Sequence, residues 1–131
     1  MTSKASSIIG WTCALLVAAF NAFAAVMKFV PVEPGSEAAV MMDRLGMTQL
    51  MTQLGILELI VIALYLWPRT STVGVVLMTG YMGGALATNL THGFSSMEAL
   101  PLYISLILIA VSAWFRNPEL ATRLRGKPVI A

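Results

Sequence analysis

The chain has 131 residues, of which 58% are hydrophobic and only 11% charged, and its mean hydropathy is +0.83. A soluble domain covers itself with about 25% charged residues, so this composition excludes an ordinary water-soluble globule and points to a bilayer as solvent. The single Cys and single His exclude an intrachain disulfide, a complete zinc site and a bis-His haem within one chain. A net charge of only +2 excludes the concentrated basic surface of a nucleic-acid binder. No metal is expected, and the composition names no cofactor.

Crossing the hydrocarbon core takes about 20 residues of helix. The first predicted span covers residues 8–30 and ends where Pro31 and Pro34 forbid continuation. Lys4, the apolar run and Ala22-Phe23-Ala24 together imitate a secretory signal with its cleavage site. The run is longer than an h-region, so the segment is expected to be retained. Cys13 lies inside it and reads as a small apolar packing residue. The connection from Pro31 to Gln49 is long for a small bundle. Within it, Ser36 followed by Glu37 to Arg44 predicts a short surface helix, acidic at its start and basic at its end as the helix dipole prefers. That segment either connects or forms a lid over an outward-facing cavity.

The second span is predicted over residues 50–67, stopped by Pro68, the third over 73–90 and the fourth over 100–115, with a tail at 116–131. The expectation is one domain, 1–131: an all-α integral membrane four-helix bundle. Lys4, Arg69, Arg116, Arg123, Arg125 and Lys127 fall on one side of it. Lys28 and Arg44 fall on the other, among Glu33, Glu37, Asp43 and Glu98. Cytoplasmic loops carry the excess of Lys and Arg, which predicts an N-in/C-in orientation and a tail lying along the anionic leaflet.

Ionisable groups inside a membrane are costly and face the bundle interior, which makes Glu58 the most informative residue. It shares a helix face with Met51, Gly55, Ile62 and Tyr65, and Gly55 leaves room for a close neighbour. Asn21 and Lys28 are seven residues apart, hence on one face of the first span; Tyr81, Thr88, Asn89 and His92 share a broad face of the third. The predicted orientation puts Lys28 and His92 at the outer boundary, with Asn21, Glu58 and Tyr81 deeper. Two readings are open. In one, a protonated Glu58 bonds a neighbouring helix, Lys28 snorkels to the headgroups, and Asn21 and Tyr81 are interhelical glue. In the other, these residues form an outward-opening pocket: Glu58 as acid or base, Tyr81 and Asn21 orienting a ligand, and Lys28, Asn89 and His92 at the entrance.

Gly80, Gly84 and Thr88 recur every four residues, with Gly83 and Ala87 beside them. Small residues at this spacing permit close helix approach, predicting a packing face toward the chain's own helices or another protomer. The nine Met residues read as adaptable apolar filler rather than copper ligands.

Several motifs carry a resemblance. They are Gly55-Ile-Leu-Glu58-Leu, then Trp67-Pro-Arg69-Thr70, then Leu77-Met-Thr-Gly80-Tyr81-Met-Gly83-Gly84-Ala85-Leu-Ala87-Thr88, and finally Trp114-Phe-Arg116-Asn-Pro118. With Lys28 and Leu45-Gly46, they make the chain similar to the DoxX-like family from its first span to Pro118. Two positions depart from the family pattern: Asn89 stands where members often carry His, and Ala24 where they often carry an acid one turn before the lysine. The resemblance implies a four-helix protein of the bacterial inner membrane. The family name comes from a subunit linked to thiosulfate:quinone oxidoreduction, and relatives occur in membrane redox assemblies.

Two functions are therefore expected to compete. One is an accessory subunit of a larger, redox-linked membrane complex, or a homo-oligomer, built on the small-residue face. The other is a small membrane enzyme or binder for a lipophilic molecule, quinone-like or terpenoid-like, that uses the buried carboxylate. Proton-coupled transport, resting on Glu58 alone, is the third expectation.

Overall fold

A computed structural model describes residues 4–128, and every regular element in them is helical. The order is α1 Lys4–Met27, α2 Glu37–Arg44, α3 Met51–Leu66, α4 Ser71–Thr91, α5 Leu100–Arg116 and α6 Pro118–Leu124, with a 3-10 turn at Pro68–Thr70 between α3 and α4.

Local chemistry sets the helix ends. Ser36 caps α2, its hydroxyl accepting from the Ala39 amide at 3.2 Å. Trp67 is extended ahead of Pro68 and ends α3. Gly93, at φ +87°, ends α4. The amides of Gly93 and Phe94 turn back to the carbonyls of Leu90 and Asn89 at 3.3 and 3.0 Å, a Schellman closure that needs a left-handed residue. The predicted first span shifts toward the N-terminus: α1 starts at Lys4 and stops at Met27, so Lys28 belongs to the turn beyond it.

Among the described residues, two helices are long and apolar enough to cross a membrane, α1 and the 24 residues Pro68–Thr91. A third span arises if α5 and α6 count as one, across a bend of 104° at Asn117-Pro118. Helix α3 is apolar but has 16 residues, about 24 Å at 1.5 Å per residue, short of the roughly 30 Å core.

The four long helices meet in cyclic order: α1 on α3, α3 on α4, α4 on α5, and α5 back on α1. Their shared interior holds Ala14, Val17, Tyr65, Met78 and Ile109, all 1% exposed or less. Outside, Phe23, Val76 and Ile107 are each more than 60% exposed. Polar residues meanwhile sit inside: Asn21, Glu58, Ser105 and Ser112 are buried. An apolar outer surface over a partly polar interior is the arrangement that hydrocarbon solvent selects.

One close approach passes through Gly74. A Cβ there would lie 2.2 Å from the Cα of Tyr65, so α3 and α4 touch backbone to backbone at this level. The expected packing glycines behave differently: Gly80, Gly83 and Gly84 have nothing within 4 Å of a would-be Cβ. Within this chain the Gly80/Gly84/Thr88 face is open rather than packed.

Candidate functional site

Three segments far apart in sequence each contribute one polar group to a buried cluster. Lys28 follows the end of α1, Glu58 sits at the middle of α3, and Tyr81 lies on α4. Lys28 Nζ donates to Glu58 Oε2 at 2.6 Å, with side chains 10% and 2% exposed. The Tyr81 hydroxyl donates to the same oxygen at 3.2 Å. Lys28 Nζ also reaches the Ala24 carbonyl at 3.4 Å, one of the acceptors left open at a helix C-terminus.

Gly55, one turn before Glu58, makes this pairing possible. A Cβ there would lie 2.8 Å from the Phe29 ring and 3.3 Å from Lys28 Cβ. Glycine thus lets the residues after α1 lie directly on α3. The close neighbour is this Lys28-Phe29 segment, not another helix. Lys28 is therefore the direct partner of Glu58.

The cluster borders a cavity of about 530 Å³. Most of the wall is apolar, including Phe20, Leu54, Leu57 and Leu102, with Gly80 and Gly84 along α4. The cavity is also bordered by Met41, Met42 and Leu45 of the α2 region. Arg44 ties this region across to the α4–α5 turn, donating to the Gly93 carbonyl at 2.9 Å and lying 4.1 Å from the Phe94 ring centroid. The α2 segment thus forms one wall of the cavity and is anchored at its end.

Among known families, the DoxX-like family matches residues 12–111. The chain belongs to the DoxX-like family. No curated protein and no solved structure shows significant similarity to it. The matched span of this DoxX-like chain contains the whole Lys28–Glu58–Tyr81 cluster and stops before Arg116.

The remaining candidates divide. Asn21 is fully buried and borders the cavity, its Nδ2 donating to the Val17 carbonyl at 2.9 Å. Asn89 and Thr88 also border it, each bonded back to its own helix, at the carbonyls of Ala85 and Gly84, both at 2.8 Å. His92 does not border the cavity. It is exposed as the C-cap residue of α4, Nδ1 lying 2.8 Å from the Thr88 carbonyl. Among the described residues, no group of three or more His, Cys, Asp or Glu side chains is placed to hold a metal.

A second polar cluster was not singled out from the sequence. The Tyr65 and Ser112 hydroxyls lie 2.5 Å apart. The Arg116 guanidinium stacks 4.3 Å from the Trp11 ring centroid and donates to the carbonyls of Tyr65 and Leu66 at 3.2 and 3.5 Å. Thr70 takes the Leu64 carbonyl at 2.8 Å. The final carbonyls of α3 are therefore satisfied by side chains, as a low-dielectric setting demands. The available signal was Arg116 directly before Asn117-Pro118, a cation positioned to fold back at a helix end.

Proposed function

We propose that this DoxX-like protein is a multi-pass protein of a bacterial inner membrane that binds a lipophilic small molecule beside Glu58. In this reading α1, α3, α4 and α5 form a four-helix transmembrane bundle, N-in/C-in, with α6 on the cytoplasmic surface. The charge distribution supports the orientation. Lys4, Arg69, Arg116 and Arg123 lie at one end of the helices with Glu119, while Glu33, Glu37, Asp43 and Glu98 lie at the other with only Lys28 and Arg44 as cations. Reporter fusions test it: alkaline phosphatase should be active when inserted at Gly35 and inactive after residue 131, and the reverse pattern overturns the orientation.

The observation that carries the binding reading is the apolar cavity of about 530 Å³ with a buried Lys28–Glu58–Tyr81 cluster on its wall. Ligand sites are apolar hollows of about 300–1,000 Å³ with a few fixed polar groups, and intramembrane ionisable residues mark function by default. The Lys28–Glu58 pair is costly to desolvate and adds little stability over an apolar pair. That cost has a purpose if the cluster orients a polar head while the apolar wall takes the tail, as a quinone-like or terpenoid-like molecule requires. Organic extracts of protein purified in mild detergent should contain a lipophilic molecule distinct from bilayer lipid. Gly84→Leu, which fills open space on the cavity wall, should lose it; extracts containing only bilayer lipid from both proteins would refute the binding reading.

A second reading is an accessory subunit of a larger membrane complex, favoured by the unpacked Gly80, Gly83 and Gly84. A helix from another chain would fit against that face. Purification as a stable lone protomer in mild detergent counts against it.

A further inference from the structure

A second hollow, of about 500 Å³, lies at the other end of the helices from the Glu58 cavity. The start of α1 lends it Lys4, Ser7 and Trp11, and the end of α5 lends it Phe115 and Arg116. Lys4, Ser7 and Trp11 follow at i, i+3 and i+7, so they share one face of α1. Glycine brings the α5 side close. A Cβ at Gly10 would lie 2.8 Å from Arg116 Cγ, and without it the Arg116 stem rests on α1 with its guanidinium over the Trp11 ring.

Charge narrows what this hollow can hold. Among the described residues that border it, the ionisable groups are two cations, Lys4 and Arg116. The one ion pair among the described residues, Lys28–Glu58, involves neither. Arg116 is half-buried, and its partners are the neutral Tyr65 and Leu66 carbonyls and the Trp11 and Tyr65 rings. These groups orient the guanidinium without neutralising it, and a cation drawn out of water without an anion is costly. Glu119, at the same end, is bonded to Thr72 and Asn117 and does not border the hollow. Lys4 and Ser7 are exposed, and neither side chain is bonded to another described residue, so both keep donors for a ligand. From Trp11 the wall runs on into exposed apolar surface, with Ile8 and Leu15 on the same side of α1.

We propose that this hollow is a headgroup site for an anionic phospholipid. The phosphate accepts from the Lys4 ammonium and the Ser7 hydroxyl in the field of Arg116, while the acyl chains follow Ile8, Trp11 and Leu15 along α1. Basic hollows between membrane helices at their cytoplasmic ends suit such headgroups. The inference rests on the membrane reading above and not on what occupies the Glu58 cavity.

The test compares dioleoyl-phosphatidylglycerol with dioleoyl-phosphatidylcholine, which has the same chains and phosphate but adds a choline cation. Each is titrated onto the full chain in detergent, and the first bound lipid is followed by native mass spectrometry. Phosphatidylglycerol should bind about tenfold tighter, and Lys4→Gln should bring the two within about twofold, because one basic residue beside an anionic lipid is worth about fivefold. Arg123→Gln removes the same charge from the same end without touching the hollow, and should change the preference by less than about twofold. Equal binding of the two lipids, or equal losses in the two variants, overturns the headgroup site. Displacement of phosphatidylglycerol by an equal concentration of inorganic phosphate overturns the lipid as its occupant. Loss of the preference in Gly84→Leu would place the lipid in the Glu58 cavity and overturns the site as well. The membrane reading and the Glu58 cavity stand in each case, since the reporter fusions and the organic extracts test them separately.

Discussion

Two levels of the same helices treat similar residues in opposite ways. At Tyr65, near the end of α3, Gly74 brings α4 onto the α3 backbone and Gly10 brings Arg116 within contact of α1. Two turns earlier on α3, at Glu58, the facing α4 glycines Gly80 and Gly84 meet nothing, and a cavity occupies the space. Each level has a tyrosine whose hydroxyl has a side-chain partner, Ser112 for the buried Tyr65 and Glu58 for the half-buried Tyr81. One set of contacts closes and locks the helices. The other leaves a charged pair beside empty volume. Small residues in a membrane helix thus mark where something can approach, and the neighbours decide whether that is a backbone or a ligand.

The largest effect should come from splitting the charged pair at the open level. Glu58→Ala leaves the Lys28 ammonium, 10% exposed, without its partner, and should cost about 3–5 kcal/mol in detergent unfolding. The double variant Lys28→Met with Glu58→Leu should recover most of that stability while ligand binding stays lost. A double variant no more stable than the single one would show that the pair is structural after all.

The next effect contrasts the glycines directly. Gly74→Ala forces a Cβ into the Tyr65 backbone and should destabilise by about 1–3 kcal/mol. Gly84→Ala meets open space and should change stability by less than about 1 kcal/mol, in the stabilising direction. Equal losses at both positions would erase the distinction between the levels. At the closed level, Tyr65→Phe leaves the buried Ser112 hydroxyl without the tyrosine and should cost about 1–2 kcal/mol by thermal melting.

The smallest effect lies at the edge of the closed level. Glu119, at the start of α6, accepts from the Thr72 hydroxyl, and that bond, with smaller ones from its own backbone N–H and from Asn117, holds its carboxyl below the usual range against desolvation. A carboxyl depressed in the folded state stabilises above its unfolded value and loses that contribution as pH falls through the folded value. Glu119→Gln should therefore shift the melting temperature slightly at neutral pH and not at all below the folded value of the carboxyl, where both proteins carry a neutral group. A difference that persists in acid would assign the effect to packing.

Much of this was legible in the residues themselves. Composition excludes a soluble globule because too few charges exist to solvate one. Pro68 and Ser36 mark helix boundaries because their effects are local, a missing N–H and a capping hydroxyl, whereas α1 stops at Met27, short of the end that Pro31 predicted. The DoxX-like motifs pointed to the family that the match over residues 12–111 establishes. Glu58 stood out because a carboxylate in an apolar run is expensive wherever the run folds. Tertiary structure alone decided which groups meet. Lys28 and Glu58 are 30 residues apart, and no local rule pairs them; His92 and Lys28 looked equivalent at the boundary, yet His92 is exposed at the end of α4 while Gly55 lets Lys28 in. Helices α3 and α4 are apolar almost all round, so periodicity does not report which face is inward. For that reason Gly74 and Gly80 are indistinguishable by spacing. One of them is a helix contact and the other the wall of a cavity, because only the rotation and approach of the neighbouring helix set what lies opposite.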